Sequence, residues 1–137
     1  MPGIFKIDLI QNLGRSKFTE MATRKLLDIL EYALTGAFIE VHKALGPGLL
    51  ESVYHKCLAH ELDLRKIYYV SELTIPIVYK GQLIDTELRP DFVIEDCVIV
   101  ELKAVETILP VHQAQLLTYM KLLEIPKGFW LTSIVQT

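Results

Sequence analysis

Long apolar runs, cysteine and an excess of positive charge are all scarce in this sequence. Hydrophobic residues make up 51% of its 137 positions. No stretch approaches the roughly 18–20 uninterrupted apolar residues that a membrane span requires, so the chain is expected to keep out of the bilayer. The first twenty residues hold no apolar segment followed by a small-residue cleavage site, which argues against a secretory signal. Cys57 and Cys97 are the only cysteines. They are too few for a disulfide framework and, with nothing to suggest export, are expected to be reduced thiols of a cytoplasmic protein. Net charge is −3, so no global basic field advertises a nucleic-acid partner, although a local groove can still be basic. Internal repeats and low-complexity tracts are also missing, and the length fits one domain with a real core.

What is present is organised in blocks. Residues 1–20 mix glycine, lysine, aspartate and asparagine without sustained periodicity, and are expected to be a loose extension of a domain spanning 21–137. From Met21, Leu26, Ile29, Leu30, Ala33, Ala37, Ile39, Val41 and Leu45 keep close to helical spacing, and Gly46-Pro47-Gly48 ends the pattern. A second helix is expected from about Leu49 to Lys66, with Leu50, Val53, Tyr54, Cys57, Leu58, Leu62 and Leu64 on its apolar side. The pattern then turns to strands over 68–70, 75–79 and 82–88, with Lys80-Gly81 as a hairpin tip. A second hairpin is expected from Phe92–Ile94 and Val98–Leu102 around Glu95-Asp96-Cys97. Pro110 opens a third helix running to about Glu124, since proline is tolerated in the first turn. Ile125-Pro126-Lys127-Gly128 breaks that helix, and 129–135 reads as a last strand.

The chemistry concentrates in Val98-Ile99-Val100-Glu101-Leu102-Lys103. Side chains alternate along a strand, so Glu101 and Lys103 share one face about 7 Å apart while Val98, Val100 and Leu102 take the other. Alone, this would fit an edge strand with a solvated Glu/Lys face. Asp91 changes that balance. Pairing Ile94 with Val98 keeps apolar residues opposite apolar residues, the condition that sets register in a half-buried sheet. Phe92 then faces Val100, and Asp91 falls opposite Glu101. Two convergent carboxylates suit Mg²⁺ or Mn²⁺, with water and phosphate oxygens completing the shell and the Leu102 carbonyl as a further ligand. A cation held there polarises a phosphodiester oxygen and acidifies water. Lys103 would orient that water, help deprotonate it or offset charge on the transition-state phosphate.

Arg89-Pro90-Asp91, nine residues, then Glu101-Leu102-Lys103 resembles the core motif of the PD-(D/E)xK nuclease superfamily. Gly48-Leu49-Leu50-Glu51-Ser52-Val53-Tyr54 resembles the signature of the small bacterial GxxExxY proteins, which are placed within that superfamily. The similarity runs from about Leu26 to Gly128 and includes Val41 to Gly48. It implies an α/β fold with a restriction-endonuclease-like core: a central mixed sheet flanked by helices, ordered α-β-β-β-α-β, here with an extra N-terminal helix and a strand. It also implies a helical glutamate at the metal site, which would be Glu51; the alternative is that Glu51 only complements the positive end of its helix dipole. Tyr54 would pack in the core with its hydroxyl toward the site. Gln115-x-x-x-Tyr119 resembles a motif that follows the catalytic strand in exonuclease-like members, where the glutamine helps hold the site and its nucleic-acid strand. His112 shares that helical face, but a lone histidine more often serves packing or a local hydrogen bond. His42, His55 and His60 have no metal-ligand spacing and read as structural.

The function this implies is metal-dependent hydrolysis of phosphodiester bonds in DNA or RNA. Asp91, Glu101, Lys103 and Gln115 would form the catalytic set, and Glu51, Asp91, Glu101 and Leu102 would hold Mg²⁺ or Mn²⁺. Gln115, Tyr119 and Arg89 would contact nucleic acid, with Lys121 and Lys127 as further cations near phosphates. The alternative is a catalytically silent module that binds nucleic acid or protein on the nuclease fold. A third reading is an interaction protein whose carboxylates only order the fold. The acidic balance and small size favour a protein partner or a second copy of the chain to help bring substrate.

Overall fold

The computed structural model describes residues 4–8 and 17–132, with side chains described from residue 24 onward. Ten elements follow one another: β1 (Ile4–Asp8), α1 (Lys17–Leu45), α2 (Glu51–Leu64), β2 (Tyr69–Ser71), β3 (Ile77–Tyr79), β4 (Gln82–Ile84), β5 (Phe92–Ile94), β6 (Val98–Lys103), α3 (Pro110–Leu123) and β7 (Lys127–Thr132). Five strands form one mixed sheet in the order β1-β7-β6-β5-β2. β6 and β7 run parallel, and every other pair in it is antiparallel. A parallel pair needs a long crossover, which α3 supplies. Among the described residues β3 and β4 pair only with each other, as a separate two-stranded ribbon.

β6 lies in the middle of the sheet and is not an edge strand. Its run Val98-Ile99-Val100-Glu101-Leu102 is buried throughout, the pattern of a strand covered on both faces. Val98, Val100 and Leu102 join the core built with α1 and α2. Ile99 joins a second core with Leu116, Tyr119 and Met120 of α3, and Trp130 of β7. Alternation therefore puts Glu101 and Lys103 on the α3 side. The pairing of β5 with β6 is the anticipated one, Ile94 with Val98 and Phe92 with Val100.

Three features depart from the pattern read in the sequence. First, residues 4–8 are not loose: β1 pairs with β7 from Ile4 opposite Leu131 to Asp8 opposite Lys127, and α1 begins at Lys17 before reaching Met21. Five residues are too few to show periodicity, and their partner lies at the far end of the chain. Second, α1 buries Leu27, Leu30, Leu34, Ala37, Phe38 and Val41, while Leu26 and Ile29 are exposed. Apolar residues surround much of this helix, so spacing alone admits more than one inward face. Third, α2 buries Tyr54, Leu58 and Leu62 at spacings of four and leaves Leu50 and Leu64 outside.

Two turns match their residues closely. Lys80 and Gly81 both have positive φ, 46° and 80°, as the two-residue hairpin turn of mirror-image type demands. Pro110 occupies the first turn of α3, where its missing N–H costs no hydrogen bond. No helix among the described residues is long and apolar enough to cross a membrane, and no disulfide joins Cys57 to Cys97.

Candidate functional site

One step beyond the Phe92–Val100 pair, the two acids interlock. The Asp91 backbone N–H donates to Glu101 Oε1 at 2.7 Å, and the Leu102 N–H donates to Asp91 Oδ2 at 2.7 Å. Each carboxylate is thus fixed by backbone, one oxygen apiece, at the junction of β5 and β6. The N–H and C=O of a strand residue point to the same edge, so the Leu102 carbonyl opens toward Asp91 as well. Ala104 lies two residues further along, and its N–H is taken by Glu51 Oε2 at 3.2 Å. Glu51 is the first residue of α2, and that bond brings the helix start to the same end of β6.

Burial makes this arrangement electrostatically tense. Glu101 is 3% exposed, and its carboxyl is pushed up to about 8, first by desolvation and then by the charge of Asp91; the Asp91 N–H and Lys103 oppose the rise. Asp91 is also raised, chiefly by burial and further by Glu51, against the Leu102 N–H, His55 and Lys103. A buried and a half-buried carboxylate, both of which resist ionisation side by side, are oxygen donors that a cation would compensate. Carboxylate and carbonyl oxygens are the donors a hard divalent ion takes, and Glu51 is near enough for its charge to raise both acids. Among the described residues no group of three or more His, Cys, Asp or Glu is drawn together as a metal cage, so water or substrate oxygens would fill the remaining positions of such a shell.

Lys103 reaches into this site from the α3 side. Its Nζ lies 3.7 Å from Glu101 Oε2 and donates to Gln115 Oε1 at 3.2 Å. Gln115 Nε2 in turn donates to the Tyr119 hydroxyl at 3.1 Å, and that hydroxyl also interacts with the Arg89 backbone. Tyr119 is 2% exposed; burial, then Glu101, raises its phenol. It stands behind Gln115 and presents no open ring to a ligand. Arg89 is exposed, directly before buried Pro90.

His55, which spacing alone left structural, stands against the site. It follows Glu51 by four residues, on the same helix face. Its ring stacks on Phe92 at 4.3 Å, and its Nε2 lies 3.4 Å from both the Asp91 carbonyl oxygen and Ser71 Oγ. The i, i+4 relation to Glu51 was the available signal. Other candidates lie elsewhere. Tyr54 donates its hydroxyl to the Gly46 carbonyl, closing the turn after α1 instead of facing the carboxylates; a buried phenol takes the nearest unpaired acceptor, here a helix-end carbonyl. His42 is buried between the rings of Phe38 and Tyr54. His112 Nδ1 accepts the Leu109 N–H at 3.0 Å, a local cap for α3. Lys127 is buried and paired with Glu31 at 3.5 Å and Asp28 at 3.9 Å, which removes it from the phosphate contacts.

Neither a curated protein nor a solved structure shows significant similarity to this sequence. A family model described as the PD-(D/E)XK nuclease superfamily does match, over residues 28–133, from the first half of α1 to just past β7. That span takes in Glu51, Asp91, Glu101, Lys103 and Gln115 and most of the sequence, and the chain belongs to the PD-(D/E)XK nuclease superfamily.

Proposed function

We propose that this chain is a divalent-metal-dependent nuclease that hydrolyses phosphodiester bonds of DNA or RNA in the cytoplasm, and that it falls in the GxxExxY group of its superfamily. Nucleases of this superfamily generally use divalent metals. The observation that carries the reading is the reciprocal clamp of Asp91 and Glu101, with the Lys103 ammonium 3.7 Å from the second acid.

In this reading Asp91, Glu101, the Leu102 carbonyl and Glu51 hold Mg²⁺ or Mn²⁺. The bound cation would supply Lewis-acid polarisation of a phosphoryl oxygen and a lower pKa for water. The protein's own groups do the rest. The backbone clamps fix both acids before substrate arrives, so little reorganisation is left for the reaction itself. Lys103 is positioned by Gln115 to direct a proton-bearing nucleophile and to offset negative charge gathering on the phosphate. Gln115 is held in turn by Tyr119 within α3, and the Lys103–Gln115 bond ties that helix to β6. Arg89 is the exposed cation nearest Asp91 in sequence and would meet the backbone of the nucleic acid.

The test is direct: incubate purified protein with labelled single- and double-stranded DNA and RNA in Mn²⁺, Mg²⁺ or EDTA. Cleavage of at least one of the four in metal, abolished by EDTA and by Asp91→Ala, is the expected result. Intact substrates in every metal condition would refute the nuclease reading.

A further inference from the structure

The ribbon formed by β3 and β4 turns apolar side chains outward on both of its strands. Val78 and Leu83 are directly opposite each other across it, and they are 69% and 63% exposed. An isolated two-stranded ribbon is marginal in water, and an open apolar pair on it makes matters worse. Among the described residues no third strand joins either outer edge, and an open strand edge is the usual template for another strand.

The ribbon is nevertheless firmly rooted. Ile75 is buried in the α3-side core, its N–H donates to the Leu88 carbonyl at 2.8 Å, and the Thr86 hydroxyl donates to the Ile75 carbonyl at 2.5 Å. The tip is set by the Lys80-Gly81 turn, with the Lys80 ammonium 5.4 Å from the centre of the Tyr79 ring. Its charges are split lengthwise: Lys80 lies at the tip, and exposed Asp85 and Glu87 lie at the base.

That polarity selects a partner. We propose that two copies of this chain associate through their β3–β4 ribbons about a two-fold axis, running antiparallel. The Val78–Leu83 pairs then meet at the centre, and each tip Lys80 faces the other copy's Asp85 and Glu87. A two-fold contact uses one self-complementary patch on both partners, and an apolar centre flanked by opposite charges at its two ends is such a patch. A nucleic acid would find one cation and two carboxylates on the same ribbon, a poor match for phosphates. The inference stands independently of the nuclease reading, because no residue of the candidate site takes part.

The experiment is light scattering or sedimentation across a concentration series on wild type, Leu83→Lys, Lys80→Glu, the pair Asp85→Lys with Glu87→Lys, and the triple charge reversal. Wild type should run as a dimer. Leu83→Lys should weaken it at least tenfold, the loss expected of a central apolar anchor. Either single-sided charge change should weaken it, and the triple reversal should restore it, since opposite charges again face each other. The substituted side chains are exposed, and a cooperative melting transition with an unchanged circular-dichroism spectrum will show that the variants fold, whatever stabilisation the dimer itself adds. A wild type that is monomeric throughout overturns the proposal. So does a dimer indifferent to these changes, or a monomer in which they instead reduce nucleic-acid binding.

Discussion

Asp91 and Glu101 are each anchored by the strand that carries the other: Glu101 Oε1 takes the Asp91 N–H, and Asp91 Oδ2 takes the Leu102 N–H, both at 2.7 Å. A carboxylate accepting one backbone N–H is positioned but only partly compensated for its burial. If these acids share a divalent cation, metal should raise the melting temperature, by the mass-action stabilisation that reaches about 2.7 kcal/mol at a hundredfold excess over Kd. Asp91→Ala and Glu101→Ala should each abolish that rise. Melting curves with and without Mn²⁺ decide it, and a full response in both single variants would place the metal elsewhere.

The same burial fixes a pH dependence in the metal-free protein. The Glu101 carboxyl is raised in the folded state from 4.5 to about 8, and Asp91 is raised as well. Between those values the native state holds a proton that the unfolded chain has lost, so stability falls as pH rises. The contribution is complete below about 4.5, diminishes on the way to about 8 and is gone above it. Glu101→Gln should flatten this slope between pH 5 and 8 in EDTA. Added metal should act oppositely and stabilise most at the alkaline end, where it no longer competes with the proton.

Glu51 has a structural partner and a proposed metal role, and two substitutions separate them. Its Oε2 accepts the Ala104 N–H at 3.2 Å, a bond that the amide oxygen of Glu51→Gln can keep. Glu51→Gln should therefore melt close to wild type while metal affinity falls about tenfold or more. Glu51→Ala should also lose roughly 0.5–1.5 kcal/mol of stability, as expected for one hydrogen bond. Equal metal affinity in wild type and Glu51→Gln would restrict Glu51 to organising the end of β6.

Much of this site was legible because strand alternation and apolar matching are local rules. Phe92 opposite Val100 follows from keeping apolar residues together, and the meeting of Asp91 with Glu101 follows from that register. The central place of β6 was not legible from Val98–Lys103 itself, since an exposed charged face and a site-lining one read alike. His55 escaped because its neighbours Asp91 and Ser71 lie 36 and 16 residues away. Spacing within α2 relates it only to Glu51. Tyr54 was placed wrongly for a similar reason: its acceptor, the Gly46 carbonyl, is set by how α1 ends against α2 and leaves no mark in side-chain pattern.

β1 bears on what the first twenty residues add to the fold. Its backbone pairs with β7 along Ile4–Asp8, so removing residues 1–20 would bare an edge of β7 and shorten α1. Bared edges pair with other chains. The truncated protein should melt at a lower temperature and self-associate with rising concentration, as calorimetry and light scattering can show. A truncated chain that stays cooperative, with unchanged melting temperature, would mean that β1 adds little to the sheet.

Lys103 is where metal binding and hydrolysis separate. Its Nζ lies 3.7 Å from Glu101 Oε2 and is held by Gln115 Oε1 at 3.2 Å, so it approaches the acids as a neighbour and not as a ligand. Lys103→Ala should leave the metal-induced melting shift intact, or enlarge it, because a positive charge beside the cation is gone. Cleavage should fall by about two orders of magnitude or more, the usual cost of a lost acid–base or electrostatic group. Lys103→Arg should recover little, since the guanidinium stays protonated and its planar fork is a different shape. Gln115→Leu should fall between wild type and Lys103→Ala, because the ammonium remains while its positioning bond is lost. Metal affinity and cleavage rate must be measured on the same four proteins. Cleavage by Lys103→Ala at the wild-type rate would remove the lysine from the reaction, and Gln115→Leu as inactive as Lys103→Ala would give the glutamine a role of its own on the substrate.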